Sequence, residues 1–555
     1  MATTAAPASP ASPASPASPA SSASPPRGPT GGSEAAEVSE YRWIILLGLI
    51  TAAIMEVLDT TIVNVALPQM AGNLGATLQE IGWVATGYIL SNVVVLPLTA
   101  FFTQTFGRRN YLSASIVIFI SASFMCGTSH SLGELVLWRI VQGAGGAALL
   151  STAQATLRQI FPREQQGLVQ AIFILGIIVA PTLGPTLGGW ITDNYTWNWC
   201  FFINVPIGIV ALFLVSTFLH DPPHHQRRTG PVDWLGIGLL MVGIGSLQYV
   251  LEEGREKDWF ADPLISRLAV TAGVCLAAML FWEMSSRNKN PVVNFRVLHN
   301  RDLAGSIFLF IALGFGLYGG VFIFPLFTQN LLHFTPTETG LTLMPGGIAT
   351  ATVAIICGKL LNGANPLVDA RLLIYVGIAT FLVAMWQLGH LTTQAGEGDA
   401  QLALIIRGAA LGFLFTPINQ IAYGNLKPSE AQQASGLINL SRQLGGSFGI
   451  AVLATFLQSR MQFHRVDLLS NIYATSPELA QRQQAMTSAL MAQGYPAIPA
   501  HTASYALIDG TVMRQATMLS YNDCWMMILA SFVVVAPAVL ILHKPKGHAI
   551  GGDAH

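Results

Sequence analysis

Glu56 and Asp59 stand three residues apart in the apolar run from Trp43 to Leu67, and Arg139, Arg407 and Arg442 stand in three other apolar runs. An ionised side chain near the middle of a bilayer costs at least about 2.5–3.5 kcal/mol, so such residues persist mainly where they face a cavity and handle ions or substrates. Asp59 lies about one helical turn beyond Glu56, which places both carboxyls on one side of a helix. Two carboxyls close together in a low dielectric resist being ionised at the same time. The pair is therefore expected to take up and give back a proton, with Asp59 as the principal group, facing a central water-filled space. The alternative is that both acids bond a neighbouring helix and only hold it in place.

Other polar residues in apolar surroundings extend this set. Arg139 and Gln142 share one side of the fourth apolar run. A guanidinium stays charged, so Arg139 would set the charge balance around a carboxylate rather than release a proton itself; capping backbone carbonyls is the competing role. Asn439 precedes Arg442 by three residues, a polar strip on one helix face. With Asn64, Gln142, Arg407, Tyr318 and Phe322 these two residues are candidates for a substrate cavity or its gate, while pairing of the arginines with buried acids is an equally open reading. Gly176, Gly184, Gly188 and Gly189 form a small-residue strip with Pro181 and Pro185; small side chains let helices approach closely and proline bends them.

The elements that must carry these residues are membrane helices. Of 555 residues 52% are hydrophobic and only 10% charged, against roughly 25% charged in soluble domains. The composition predicts an all-α polytopic membrane protein. A net charge of −1 argues against a nucleic-acid partner. The five cysteines are scattered without a CxxC, the histidines lack metal-ligand spacing, and no Ser/His/Asp set or phosphate-cradling loop is found. Neither a cofactor, a metal nor an enzyme is expected. Residues 1–38 read as a disordered Ala/Ser/Pro tail without a cleavable signal.

At about twenty residues per crossing, fourteen spans fit: 43–67, 82–103, 111–127, 133–156, 167–190, 201–219, 234–251, 264–284, 303–328, 338–358, 371–390, 402–424, 432–458 and 522–543. With the N-terminus inside, inner segments hold 17 of the 27 Lys and Arg, outer segments 7, and three lie within spans. That bias favours an even number of spans and two cytoplasmic termini. The division expected is a six-helix half over 39–219, a linker with two extra helices over 220–302, a second half over 303–545, and a tail over 546–555. An outer loop over 459–521 is expected to hold a short helix over 476–493, interrupted by Pro496 and Pro499.

Five motifs then fall in order: LDTTIVNVALP (Leu58–Pro68), TQTFGRRNYL (Thr103–Leu112), RIVQGAGGAALL (Arg139–Leu150), GIIVAPTLGPTLGGWI (Gly176–Ile191) and FFINVPIG (Phe201–Gly208). Together they resemble the major facilitator superfamily, and within it the fourteen-span drug:proton antiporters of the EmrB/QacA type. GREKDWF (Gly254–Phe260), SRQLGGSFG (Ser441–Gly449) and the terminal GGDAH bring the resemblance closest to EmrB. The resemblance implies two halves that open alternately, proton-driven efflux of hydrophobic or amphipathic compounds through Asp59 with Arg139 assisting, and a glycine–proline strip lining the interface between halves. It also implies a bacterial inner-membrane location, a periplasmic membrane-fusion adaptor of the EmrA type and an outer-membrane channel of the TolC type. The basic loop with Gly107, Arg108 and Arg109 departs from the family pattern, carrying Ala100 and Gln104 where that pattern has Gly and Asp. The acid that latches the inner gate in the family is therefore missing from its place, and the two arginines read equally well as topology anchors. Export of one metabolite, fatty acid or siderophore is the rival function; a non-transporting membrane protein or an enzyme is more remote.

Overall fold

A computed structural model describes residues 41–221, 232–361 apart from 286, 289, 290 and 294, 368–424, 426, and 428–543 apart from 471, 474 and 475. The expected tails over 1–38 and 546–555 lie outside these residues. Helix is the only regular structure among the described residues, as lipid requires of a chain that must satisfy its own backbone donors and acceptors. In order they are α1 (Arg42–Leu74), α2 (Trp83–Phe106), α3 (Arg108–Gly127), α4 (Leu132–Ile160), α5 (Arg163–Asn194), α6 (Asn204–Phe218), α7 (Trp234–Glu253), α8 (Pro263–Met284), α9 (Arg301–Asn330), α10 (Pro336–Leu361), α11 (Ala370–Leu388), α12 (Glu397–Gly424), α13 (Pro428–Ser470), α14 (Pro477–Ala492) and α15 (Ala497–Val535). Thirteen stretches of helix among the described residues are long and apolar enough to cross a bilayer. The 32-residue α5 stands where the fifth span is expected.

Local sequence sets the ends. Gly75, at φ +64°, closes α1 in the left-handed conformation that glycine adopts without strain. Ser131 caps α4 by accepting from the Glu134 N–H at 3.3 Å, and Glu134 accepts in return from the His130 N–H at 3.1 Å. Asp233, Asp262, Asn300 and Asp369 cap α7, α8, α9 and α11. Within α2, a tighter 3-10 turn at Leu96–Leu98 accommodates Pro97.

Packing separates into two main sides. Leu49, Phe119, Leu149 and Phe173 form one buried cluster and Ile62, Met70 and Phe201 another, all from α1–α6 and the turn that precedes α6. Phe310, Phe324, Phe381, Leu414 and Trp525 belong to a larger cluster contributed mostly by α9–α13 and α15. The α7–α8 pair leans on α2 through Val93, Leu98, Ile237, Ile244 and Met279. Across the middle α5 lies against α10, and α13 meets α2 and α4.

The loop expected over 459–521 is largely helical instead. At 1.5 Å per residue the 43-residue α13 and 39-residue α15 far exceed the roughly 30 Å hydrocarbon thickness. No Gly or Pro stops α13 between Leu457 and Ser470. Pro499 sits in the first turn of α15, where no backbone donor is needed, so it starts a helix rather than breaking one. The short helix expected over 476–493 is present as α14, capped by Ser476.

Candidate functional site

Asp59 is completely buried on α1 and is met from two other helices. Arg139 Nη1 of α4 donates to its Oδ2 at 2.5 Å, Gln142 Nε2 to its Oδ1 at 2.9 Å, and Asn204 Nδ2 of α6 to the same Oδ1 at 2.7 Å. Arg139 also donates to the Gln142 side chain at 2.9 Å and, through Nε, to the Val84 carbonyl of α2 at 3.0 Å. Its guanidinium lies 4.3 Å from the Tyr88 ring centroid and 5.7 Å from that of Phe201. Asn204 is steadied in turn by Ser123 of α3 at 3.0 Å. Arg139 thus does both things read for it, pairing with a carboxylate and capping a carbonyl. Such a pair endures in low dielectric because further hydrogen bonds support both ions, from Gln142 and Asn204 to the carboxylate and from the guanidinium to Gln142 and the Val84 carbonyl.

Glu56 does not share this nest. One turn earlier its carboxyl leaves toward α2 and α4, where Asn92 Nδ2 donates to Oε1 at 3.2 Å and the Leu150 N–H to Oε2 at 3.1 Å. The two acids therefore make no bond with each other. Residues three apart on a helix diverge by about 60°, enough for each to enter a different helix seam. The expectation that Asp59 faces a central water-filled space is likewise not met, because its side chain is enclosed by α4 and α6. One stripe of α1, at four-residue spacing, opens toward the helix's C-terminal end: Glu56 is buried, Thr60 half-buried and Asn64 exposed.

Glycines bring these groups together. A Cβ at Gly143 would stand 2.3 Å from the Tyr88 carbonyl, and one at Gly146 2.6 Å from the Tyr88 hydroxyl and 3.2 Å from Asn92 Nδ2. The QGAGG stretch of α4 is thus a seat for α2, which carries Tyr88 to Arg139 and Asn92 to Glu56. The later strip works similarly against α1: a Cβ at Gly176 would meet Ile50 and Ile54, at Gly184 Thr61, and at Gly188 Ile62. These three glycines face α1, not the seam with α10, while Gly189 meets nothing within 4 Å. The side chains of Pro181 and Pro185 lie outside the described residues.

On the other side Arg407 Nη2 donates to the Leu317 carbonyl of α9 at 3.1 Å, lodged where Gly320 lacks a side chain. Arg442 Nη2 donates to Asn439 at 2.8 Å and the guanidinium stands 5.4 Å from the Phe415 ring centroid. Among the described residues neither arginine has a carboxylate within 4.0 Å, so the reading that pairs them with buried acids is not met at that distance. Tyr318 packs over Gly446, Phe322 lies half-buried against the large cluster, and Tyr88, Phe310 and Phe315 are buried packing residues. The seam between sides is polar: Asn439 Nδ2 donates to Gln154 Oε1 of α4 at 3.3 Å, and Gln443 Nε2 of α13 to Asn92 Oδ1 at 3.2 Å.

The basic loop finds an acid elsewhere in the chain. Gly107, at φ +84°, leaves space for Asp221, which follows α6 and accepts from the Arg109 N–H at 3.2 Å. Arg108 lies 4.0 Å from Asp221 and donates to Gln159 and the His220 carbonyl, and Arg109 donates to the Ser216 carbonyl.

Sequence reasoning did not single out Asn204, Asn92, Gln443 and Asp221. The first two carry a readable signal as lone amides in apolar helix, and Asp221 precedes a Pro-Pro pair at a span's end.

Residues 49–450 match the family described as the Major Facilitator Superfamily. Over 513 residues the chain is 33% identical to the fatty acid resistance protein FarB of Neisseria gonorrhoeae, covering 92% of this chain and 97% of that one. Over 511 residues it is 32% identical to the multidrug export protein EmrB of Escherichia coli, with coverage of 92% and 97%. The solved structure of the human organic anion transporter MFSD10 shares the fold, with a TM-score of 0.54 at 12% identity over 88% of this chain and 99% of that one. The chain belongs to the major facilitator superfamily, in its EmrB-type branch of multi-pass membrane transporters, and is not an enzyme.

Proposed function

We propose that this exporter expels hydrophobic or amphipathic compounds in exchange for protons, with Asp59 as the exchanging group. The observation that carries this is the buried nest in which Arg139, Gln142 and Asn204 converge on one carboxylate. Adding a proton to Asp59 removes the charge that holds Arg139 and weakens the tie between α1, α4 and α6. One proton moving inward supplies about 2.3 kcal/mol per 100 mV of membrane potential and about 1.4 kcal/mol per pH unit, which supports substrate gradients of tens to hundreds-fold. Substrate would pass along the exposed Asn64 end of that α1 stripe and the Arg407, Tyr318 and Phe322 side of the second core.

The same reading gives fourteen spans, counting α5. These form two six-helix halves over 39–219 and 303–545 and an insert over 220–302, in a bacterial inner membrane with both termini cytoplasmic. A periplasmic adaptor of the EmrA type and an outer-membrane channel of the TolC type complete the pump, with the α13–α15 extension as the docking surface. A narrower substrate range, fatty acids above all, is favoured by the resemblance to a fatty acid resistance protein.

Everted membrane vesicles test the proposal. A panel of cationic dyes and long-chain fatty acids should accumulate inside only while a proton gradient is imposed, and collapse of that gradient should release them. Accumulation that is unaffected by an uncoupler refutes proton coupling, and transport of fatty acids alone selects the narrower reading.

A further inference from the structure

A hydrogen-bonded chain runs from a carboxyl on α1 to the seam with α13. Glu56 Oε1 accepts from Asn92 Nδ2, and Asn92 Oδ1 accepts from Gln443 Nε2. Two other side chains of α13 reach across the same seam, Ser435 to the Ser151 carbonyl at 3.4 Å and Asn439 to Gln154. The chain through Asn92 is the one that ends on a carboxyl. Nothing in the Asp59 nest uses these three residues.

The chain has a direction. An ionised carboxylate only accepts, so Asn92 must offer it the amide N–H and turn its oxygen toward α13, where Gln443 donates. A proton on Glu56 reverses the first link. The Leu150 N–H at Oε2 belongs to the backbone of α4 and cannot turn away, whereas the Asn92 amide can, so the proton resides on Oε1. Asn92 then offers its oxygen to Glu56 and its N–H groups to Gln443, so the existing Gln443 N–H to Asn92 oxygen bond breaks and re-forms only if the Gln443 amide turns over as well. The present bond across the seam is broken without movement of any helix, and replacing it requires a second amide to reorient. The charged groups acting on Glu56 are Asp59 on its own helix and Arg442 on α13, and the Tyr88 hydroxyl of α2 lies within their field; Arg139 neutralises Asp59.

We propose that Glu56, Asn92 and Gln443 form a proton-operated clasp that holds α2 to α13 while Glu56 is ionised and loosens that tie when it is protonated. Asn92 and Gln443 are positioning residues, and the clasp is a second proton-sensitive element beside Asp59. The inference rests on the proton-exchange reading above, yet its test does not require transport.

Spin labels at Phe106→Cys and Leu372→Cys, both exposed positions at the expected inner ends of the two sides, report seam opening by electron–electron distance measurement. The full chain is used with Cys275→Ser, since the other four cysteines are buried. From mildly alkaline to mildly acidic pH the parent should shift from short to long distances. Glu56→Gln should show mostly long distances at every pH. In Gln443→Leu the pH-dependent fraction should shrink at least about fivefold, because a bond worth roughly a tenfold or greater bias has been disconnected from the switch. Substrate binding by Gln443→Leu, read as dye fluorescence in detergent, should stay within about twofold, and this sets the clasp apart from general misfolding. A full pH swing in Gln443→Leu overturns the clasp, as does a parent whose distances ignore pH. If the distances behave as expected but no proton accompanies transport, the clasp stands and proton exchange through Asp59 falls.

Discussion

Removing both members of the Asp59–Arg139 pair should cost less than the sum of removing each one alone. Both side chains are buried, at 0% and 1% exposure, and 2.5 Å apart, and breaking such a pair from one side commonly costs about 3–5 kcal/mol. The two single changes should differ. In Asp59→Asn the guanidinium keeps the Gln142 oxygen, the Val84 carbonyl and the face of Tyr88, so the cost should fall to about 1–3 kcal/mol. In Arg139→Met the carboxylate keeps only the amides of Gln142 and Asn204, and the full penalty of about 3–5 kcal/mol applies. The double variant should recover about 1–3 kcal/mol relative to the sum of the singles, the scale of coupling between residues in one network. Thermal unfolding of purified protein in one detergent, followed by tryptophan fluorescence, reads all four members of the cycle. That order bears on the proposed function, since Asn stands in for a protonated Asp59, a state the proposed exchange must visit. Additive costs, or an Asp59→Asn variant less stable than Arg139→Met, would refute the reasoning.

Three further outcomes follow from the packing and the caps. Gly184→Ala should cost about 1–3 kcal/mol and lose most transport, because its Cβ would sit 2.0 Å from Thr61 Oγ1, whereas Gly189→Ala, with nothing within 4 Å, should be silent in both assays. Asp221→Ala should loosen the first turn of α3 by about 0.5–2 kcal/mol, visible as faster hydrogen exchange at Arg109, where that carboxylate accepts the backbone N–H. Asp523→Asn removes the carboxylate shared by Arg460 and His464 at 2.5 and 2.7 Å; because the site is about one-third exposed, the loss should stay within about 1 kcal/mol and shrink at high salt, as salt-dependent unfolding midpoints would show.

Length and apolarity alone located the helices, because lipid leaves a backbone no alternative, and Asp59, Arg139 and Gln142 stood out as charge and amide in grease. What one sequence could not supply was rotation. Glu56 and Asp59 look paired in a linear reading, but their seams are chosen by where Gly143 and Gly146 let α2 settle. Gln142 and Asn439 are legible because each lies one turn from an arginine on its own helix, whereas Asn92, Asn204 and Gln443 meet their partners only across helices, which a linear reading does not bring together. The 459–521 segment differs for a related reason: its polarity predicts that it leaves the membrane but does not make it irregular, because Leu457–Ser470 holds no helix breaker. Asp221 shows that an acid expected at one sequence position can be supplied by another element folded against it.

The most direct trial of proton exchange at Asp59 is a count of protons released when an exported dye binds the purified protein in weakly buffered detergent. The parent should release protons on binding the dye, and Asp59→Asn should bind the dye and release none. Equal release from both proteins would contradict the assignment.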